Sequence, residues 1–421
     1  MSSNWEMAGS AKRRAILGAI PEEWRLREPL PPAGEYPDIT GTFLHRYLTD
    51  AEIAITENPS RRPCRAALAH QMTNCLHEYF YDAALADEKK LDEYFRIHGK
   101  PLGPLHGILG QKNSPKYKNF ESVIFTALRN AGAILYVKTS VPHTVLIGET
   151  VNNIIEYTWN PFNRLISAGG SSGGEGALVA LKGSLVVGPM AASVSGLGLV
   201  TKALLQEEPW LYDTNVLELP WRASQYDAMA KIIADANVGH GRLAFGIIEH
   251  DGVVAPHPPV KRALRIVTNT LEKLGHQPLR QFNASEIHRN NVLLREWRKA
   301  YLDYWSSTSN LTGTGRPVDA VICPVAPFCA VRPTKYHYYG YSVWPNATDY
   351  TAGSFPVTLA NKRVDTKDES YQPINDIDRK VYDDYDAEIY DKSLAGLQLV
   401  ARRFEEEKML ALLEYVGELF K

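Results

Sequence analysis

Ser167-Ala-Gly-Gly-Ser-Ser-Gly-Gly-Glu-Gly-Ala-Leu178 is the stretch of this chain whose reading decides the fold. Four glycines bracket two adjacent serines, and Gly176-Ala-Leu-Val-Ala-Leu181 then continues as the start of a buried helix. Glycine admits positive φ and lets other groups approach the backbone closely, so paired serines in such a loop point to a chemical site. A Walker-type phosphate loop is excluded, because Glu175 stands where a lysine should follow the last glycine. A dinucleotide fingerprint is excluded as well, since Gly174-Glu-Gly176 lacks the third small residue at the required offset. Gly170-Ser-Ser172-Gly-Gly174 fits the G-x-S-x-G nucleophile elbow, but that motif needs a strand just before it, and Trp159-Asn-Pro-Phe-Asn-Arg164 reads as a turn. The plain alternative is a glycine-rich turn that caps a helix.

Further stretches join the serine loop in one consistent order. They include Gly99-Lys-Pro-Leu-Gly-Pro-Leu-His-Gly107, Gly132-Ala-Ile-Leu-Tyr-Val-Lys-Thr-Ser-Val-Pro142, Glu149-Thr-Val-Asn-Asn-Ile-Ile155 and Asp251-Gly-Val-Val-Ala-Pro-His-Pro-Pro259. Gly313-Thr-Gly-Arg-Pro-Val-Asp319, Asp365-Thr-Lys-Asp-Glu369 and Gly396-Leu-Gln-Leu-Val-Ala-Arg-Arg-Phe404 complete the set. Together they resemble the amidase signature family, in its fungal acetamidase-like branch. The resemblance implies an α/β amidase signature fold, a central mixed β-sheet flanked by helices on both faces, here partly truncated. It implies hydrolysis of a small carboxamide by a Ser–cis-Ser–Lys triad, with no cofactor and no metal. In that mechanism one serine attacks and forms an acyl-enzyme, the cis-Ser relays its proton, and a neutral lysine acts as base.

Carried over residue by residue, the resemblance makes Ser171 the cis-Ser relay and Ser172 its supporting neighbour. Gly169, Gly170, Gly173 and Gly174 become the substrate and oxyanion loop. The rest of the triad has no counterpart. The family's base sits in a G-x-P-x-x-x-K strand after the Leu-His-Gly element, but Leu105-His-Gly107 is followed by Ile108-Leu-Gly-Gln-Lys-Asn113, with Asn113 at the lysine position. Lys112 is one place early, which on a strand turns it to the opposite face. Lys138 matches a family lysine that is not the base. The attacking serine belongs to a G-T-D-x-x-G-S loop that occurs nowhere in this chain, where Leu181-Lys-Gly-Ser184 passes directly into Leu185-Val-Val-Gly-Pro-Met190. Ser195 lies at the family's spacing from Ser171, but Ala191-Ala-Ser-Val-Ser195 aligns with a helix, without the glycine loop that aims a nucleophile and supplies oxyanion donors. A third junction joins Thr56-Glu-Asn-Pro-Ser60 to Cys64-Arg-Ala-Ala-Leu-Ala-His70.

The expected organisation is one amidase-signature domain over residues 1–421. Residues 1–60 form an N-terminal extension with helices, and residues 63–421 form a core with losses near 60–63, 107–110 and 184–185. Loss of the lysine strand should expose strand edges, strand buried backbone groups without partners and lower stability. Two explanations stand: a degenerate pseudoenzyme that still binds a carboxamide, or exons mis-joined in translating an active amidase. A third hypothesis, an elbow-type hydrolase using Ser172, needs an acid and then a histidine downstream, where the last histidine is His337.

Composition agrees with a globular chain. Hydrophobic residues make up 44% and charged residues 22%, and a formal net charge of −2 with no basic stripe gives no sign of nucleic-acid or anionic-membrane partners. Cys64, Cys75, Cys323 and Cys329 lack metal-like spacing and read as reduced, mostly buried thiols. The N-terminal residues lack an apolar signal core, so the expected location is cytoplasmic, and a homodimer is the assembly left open.

Among other segments, Arg65 to Phe95 reads as amphipathic helix, Tyr117 to Asn130 as another, and Ala133 to Val137 as a buried strand. Arg242–Ile248, Asp319–Pro324 and Leu397–Val400 read as core strands. Pro259 to Leu274, Ser285 to Trp305 (with Ser285 as N-cap) and Phe404 to Leu419 read as helices. Val331 to Asp384 reads as loop-dominated surface. Within these, His257 reads as part of a structural turn and Asp365-Thr-Lys-Asp-Glu369 as a solvated charged loop. Tyr336-His-Tyr-Tyr339 could line a pocket or fill space between loops.

Overall fold

The structure is a computed structural model that describes residues 4–26, 28–40, 62–106, 109–111, 122–181, 189–279 and 294–420. The chain divides into two compact units, Met1–Trp221 with Arg332–Thr334, and Arg222–Val331 with Lys335–Lys421. No described helix is long and apolar enough to cross a membrane.

The first unit opens with helices α1 (Asn4–Gly18) and α2 (Arg62–Thr73), strand β1 (Leu76–Tyr79) and helix α3 (Tyr81–His98). The continuous helix expected over Arg65 to Phe95 is thus broken by a strand. Asn74 ends α2 in the left-handed region at φ 61, a conformation Asn tolerates better than most residues. The His70 ring then accepts the backbone N–H of Leu76 at 3.1 Å and turns the chain into β1. Strand β2 (Leu109–Gln111), helix α4 (Val123–Asn130) and strand β3 (Ile134–Thr139) follow. The part of the expected helix before Ser122 lies outside the described residues.

Strands β1, β3 and β2 form a three-stranded mixed sheet in that order, β1 antiparallel and β2 parallel to β3. The edge expected to be bare therefore carries a partner: three residues after the Leu-His-Gly element still pair with β3. Tyr136 and Val137 of β3 pack with Ala66, Leu68 and Met72 of α2 in one buried cluster, while Leu135 packs with Leu105, Leu128 and Val200 in another. The alternation puts β3 in contact with apolar side chains on both faces, as expected for a buried strand. The unit is completed by short hairpins, β4 (Val151–Asn152) with β5 (Glu156–Tyr157) and β6 (Trp159–Asn160) with β7 (Asn163–Ser167). Helices α5 (Gly173–Ala180) and α6 (Val194–Gln206) follow them.

The second unit contains α7 (Ala223–Asn237), β8 (Ala244–Ile247), α8 (Pro258–Lys273), β9 (Gln277–Leu279), α9 (Leu294–Ser307) and β10 (Ala320–Pro324). After these come α10 (Gly340–Thr348), β11 (Thr351–Leu359), α11 (Asp376–Asp384), α12 (Ala387–Tyr390), β12 (Leu394–Ala401) and α13 (Glu406–Glu418). Ser285, the expected N-cap of α9, lies outside the described residues. The five strands run in the order β11-β12-β10-β8-β9, with β10 parallel to β8 and antiparallel to β12. Val321 and Cys323 of β10 and Val400 of β12 face Tyr301 and Trp305 of α9 and Tyr341 and Trp344 of α10. On the other face, a Cβ on Gly353 would lie 2.3 Å from a methyl of Leu413 in α13, so α13 sits directly on the backbone of β11. Helices therefore flank this mixed sheet on both faces. Helix α8 buries Val260, Ala263, Leu264, Val267 and Leu271, a helical stripe with which it packs on β11 and β12.

The reading of Val331 to Asp384 as loop is corrected here. It holds α10, the nine-residue edge strand β11 and α11. Pro356 within β11 argued against a strand, yet on an edge strand proline is tolerated, and the register shifts between Pro356 and Thr358. Asp365 is also no solvated loop residue. It is 2% exposed, and the Arg262 guanidinium donates to both of its carboxylate oxygens at 2.7 and 2.8 Å.

Candidate functional site

The serine loop lies between β7 and α5, so a strand does precede it, contrary to the turn expected over Trp159 to Arg164. The turn chemistry is real but confined to Pro161 and Phe162, and β6 and β7 pair across it. Ala168 N–H donates to Thr158 O at 3.3 Å and Gly169 N–H to the Ser167 hydroxyl at 3.0 Å, so the loop leaves the hairpin under hydrogen-bond control.

One side chain outside the loop fixes its shape. The Thr150 hydroxyl donates to Gly169 O at 2.9 Å and accepts from Gly173 N–H at 3.0 Å, tying both ends of the turn together. Gly174 N–H donates to Ser140 O at 3.1 Å, and Ser140 N–H to Cys75 O at 2.8 Å, which docks the start of α5 on the residues following β3. The glycines are required by these approaches. A Cβ on Gly170 would lie 2.3 Å from Ile147 O, and one on Gly174 would lie 2.4 Å from Ser140 N and 2.6 Å from Cys75 O. Gly169 sits at φ 91, a region closed to side-chain-bearing residues. The Gly170–Ser171 peptide bond is cis.

Ser171 and Ser172 are half-buried, and among the described residues neither hydroxyl makes a hydrogen bond. Gly169, Gly170, Gly173 and Gly174 are therefore gathered with the two serines in one loop, and among the described residues no base is hydrogen-bonded to either serine hydroxyl. Lys138 is on β3 opposite Glu78 of β1. Lys112, Asn113, Ser184 and Leu185 lie outside the described residues. Ser195 is in the exposed first turn of α6, where its hydroxyl is 3.0 Å from that of the N-cap Ser193. His257 lies in the second unit: its ring is buried, Nε2 is 2.9 Å from Val381 O, and Tyr385 and Tyr390 pack against it. Burial lowers its pKa to about 4. Tyr336 packs edge-on to Phe328 and tilted against Tyr339, so this cluster fills space. Cys75 and Cys323 are buried free thiols pushed up to about 12 by burial, and Cys329 is free as well; the side chain of Cys64 lies outside the described residues. Among the described residues no group of three or more His, Cys, Asp or Glu side chains is placed to hold a metal ion.

Sequence reasoning passed over one titratable group beside the serines. Glu175, in the first turn of α5, is 2% exposed, and its Oε1 has no partner among the described residues. Burial raises its pKa to about 8, so it carries its proton at neutral pH. The signal was an acidic residue inside a run of glycine and apolar side chains, where a charge has nowhere to be solvated.

With the fold and the loop in place, comparison with known proteins gives one family. The family profile "Amidase" matches in two stretches, residues 111–187 and 182–289. An acetamidase of Aspergillus oryzae is 33% identical over 553 residues, covering 99% of this chain and 99% of that protein. An acetamidase of Emericella nidulans is 31% identical, covering 100% and 99%. Among solved structures, a fatty acid amide hydrolase superposes with a TM-score of 0.86 at 23% identity, over 99% of this chain and 95% of that one. The chain belongs to the amidase signature family, and its fold is the mixed α/β fold of those enzymes.

Proposed function

We propose that this chain descends from hydrolases of small carboxamides and that, in this form, it binds without turning over. What carries the proposal is the sequence reading of a serine pair in its shaped loop, with no counterpart to the family's lysine base before it or to its attacking serine after it. General acid–base catalysis needs the base within hydrogen-bond reach of the proton it takes, and Ser171 has no such neighbour among the described residues. The lengths support the same reading. The alignment with the Aspergillus acetamidase runs over 553 residues, whereas this chain has 421, so part of the relative has no counterpart. The two stretches of the family profile begin at residue 111 and meet at 182–187, next to the junctions read at 107–110 and 184–185. The loop's intact geometry supports retained binding of a carboxamide near Gly169–Gly174.

The abruptness of those junctions favours a second reading, in which mis-joined exons removed coding segments from an otherwise ordinary amidase. A transcript read across Gly107–Gly110 and Ser184–Leu185 separates the two. A retained frame encoding G-x-P-x-x-x-K and G-T-D-x-x-G-S supports the second reading. For the protein as given, ammonia release from acetamide and benzamide is expected to equal the protein-free rate. Turnover that disappears in Ser171→Ala would overturn the proposal.

A further inference from the structure

The first unit contains a cavity of about 620 Å³ lined by α1, α2, the β5–β7 region and Pro333. That volume lies in the range of small-molecule sites. Leu17, Leu30, Met72 and Leu165 give it apolar walls, and Trp159 adds an aromatic one. The indole is held from one side by Tyr157, with ring centroids 4.6 Å apart.

Most donor side chains on the lining are already committed within the protein. Gln71 donates to Trp24 O at 2.9 Å and to Ala67 O at 3.1 Å, and the Asn74 amide donates to Ile155 O and Tyr157 O. Arg13 donates to Ile154 O at 2.7 Å and is paired with Glu156 at 3.0 Å. Arg164 donates to Pro31 O at 2.7 Å and to Tyr36 O at 2.8 Å. His70 is the exception. It is 5% exposed, and its Nδ1 accepts the Leu76 N–H at 3.1 Å, so the neutral ring carries its proton on Nε2. That Nε2–H has no acceptor among the described residues and is not sealed in the core, so it opens on the cavity that the ring lines. Burial, which lowers the ring's pKa to about 4, keeps it uncharged at neutral pH. A buried donor without an acceptor is unfavourable, and a ligand that supplies the acceptor removes that cost.

We infer that this cavity binds a neutral small molecule with an apolar or aromatic body and a carbonyl oxygen. The carbonyl accepts the His70 Nε2–H, and the body packs on Trp159, Met72 and Leu165. Selection for a neutral ligand follows from the donor: His70 offers an uncharged imidazole N–H, and Arg13 already faces the Glu156 carboxylate. A carboxylate would give up its hydration for one neutral donor. The site needs no residue of the serine loop.

The test titrates the full chain, isotopically labelled at histidine, with acetophenone as the probe and benzoate as its anionic counterpart. Acetophenone is expected to saturate one site per chain by calorimetry and to move the assigned His70 Nε2–H resonance downfield. Ala33→Trp, at a half-buried turn position on the lining, is expected to fill the cavity and abolish both signals. Benzoate is expected to bind about tenfold more weakly than acetophenone. Ser171→Ala is expected to leave acetophenone binding unchanged, and its loss in that variant would move the ligand to the serine loop and overturn the site. Absence of saturable acetophenone binding in the unsubstituted chain overturns it as well. So does binding that leaves the His70 resonance in place or survives Ala33→Trp. Benzoate affinity equal to or above that of acetophenone overturns the assignment to a neutral carbonyl compound.

Discussion

The two units hold their shape by different means. In Arg222–Val331 with Lys335–Lys421, a five-stranded sheet is covered on both faces, and its surrounding loops are tied by ion pairs such as Arg262 with Asp365. In Met1–Trp221, the main sheet has three strands among the described residues, one of them three residues long, and the serine loop is held by close backbone approaches. The three junctions read from the sequence all fall in this first unit. A packed sheet resists loss of one contact because many others remain, whereas a backbone-to-backbone approach leaves no room for adjustment.

Three substitutions test that contrast, and the largest effect is expected in the second unit. Arg262→Ala leaves the Asp365 carboxylate buried without its cation, which costs about 4 kcal/mol. Chemical denaturation measures it, and a loss below about 1 kcal/mol would mean that the ion pair does not anchor the loop.

Next is Glu175. Its folded pKa of about 8 lies above the ordinary glutamate value of 4.5, so between those values the unfolded chain binds fewer protons than the folded one. Stability therefore falls as pH rises from about 4.5 to 8 and is level above that. Glu175→Gln removes the slope and is expected to raise stability at pH 8 by roughly 3 kcal/mol, with little change at pH 4.5. Unfolding curves at the two pH values check it, and an equal effect at both would show that titration is not the cause. Burial of His70 and His257, each lowered to about 4, works in the opposite direction: the unfolded chain binds more protons below the ordinary histidine value of 6.5, so stability falls as pH drops from there toward 4.

The smallest expected effect is Gly174→Ala, at about 2 kcal/mol, because its Cβ would meet the Ser140 and Cys75 backbones. Chemical denaturation measures it, and a loss below about 0.5 kcal/mol would mean that the backbone approaches do not hold the loop.

The sequence made the long periodic segments legible. Helix α8 and the strands around Ala320–Pro324 and Leu394–Ala401 lie where their apolar patterns put them. It concealed elements whose local chemistry argues against them. Strand β1 sits between two helical patterns and depends on a left-handed Asn74 and the His70 ring, both tertiary choices. Strand β11 contains a proline that only its edge position excuses. For the site, glycine spacing identified the loop, since glycine is demanded by contacts the loop itself makes. Thr150 was invisible, because nothing in Glu149-Thr-Val151 announces a partner some twenty residues on. Glu175 was noticed only as an obstacle to a phosphate loop.

The Thr150 hydroxyl has one further consequence. It closes the turn between Gly169 and Gly173 without touching either serine hydroxyl. The form of the loop is therefore set without a bond from Thr150 to either serine. The turn keeps its outline without either serine hydroxyl, so the loop marks kinship whatever chemistry the chain performs. In this chain, a threonine outside the loop holds the outline by which the family is recognised.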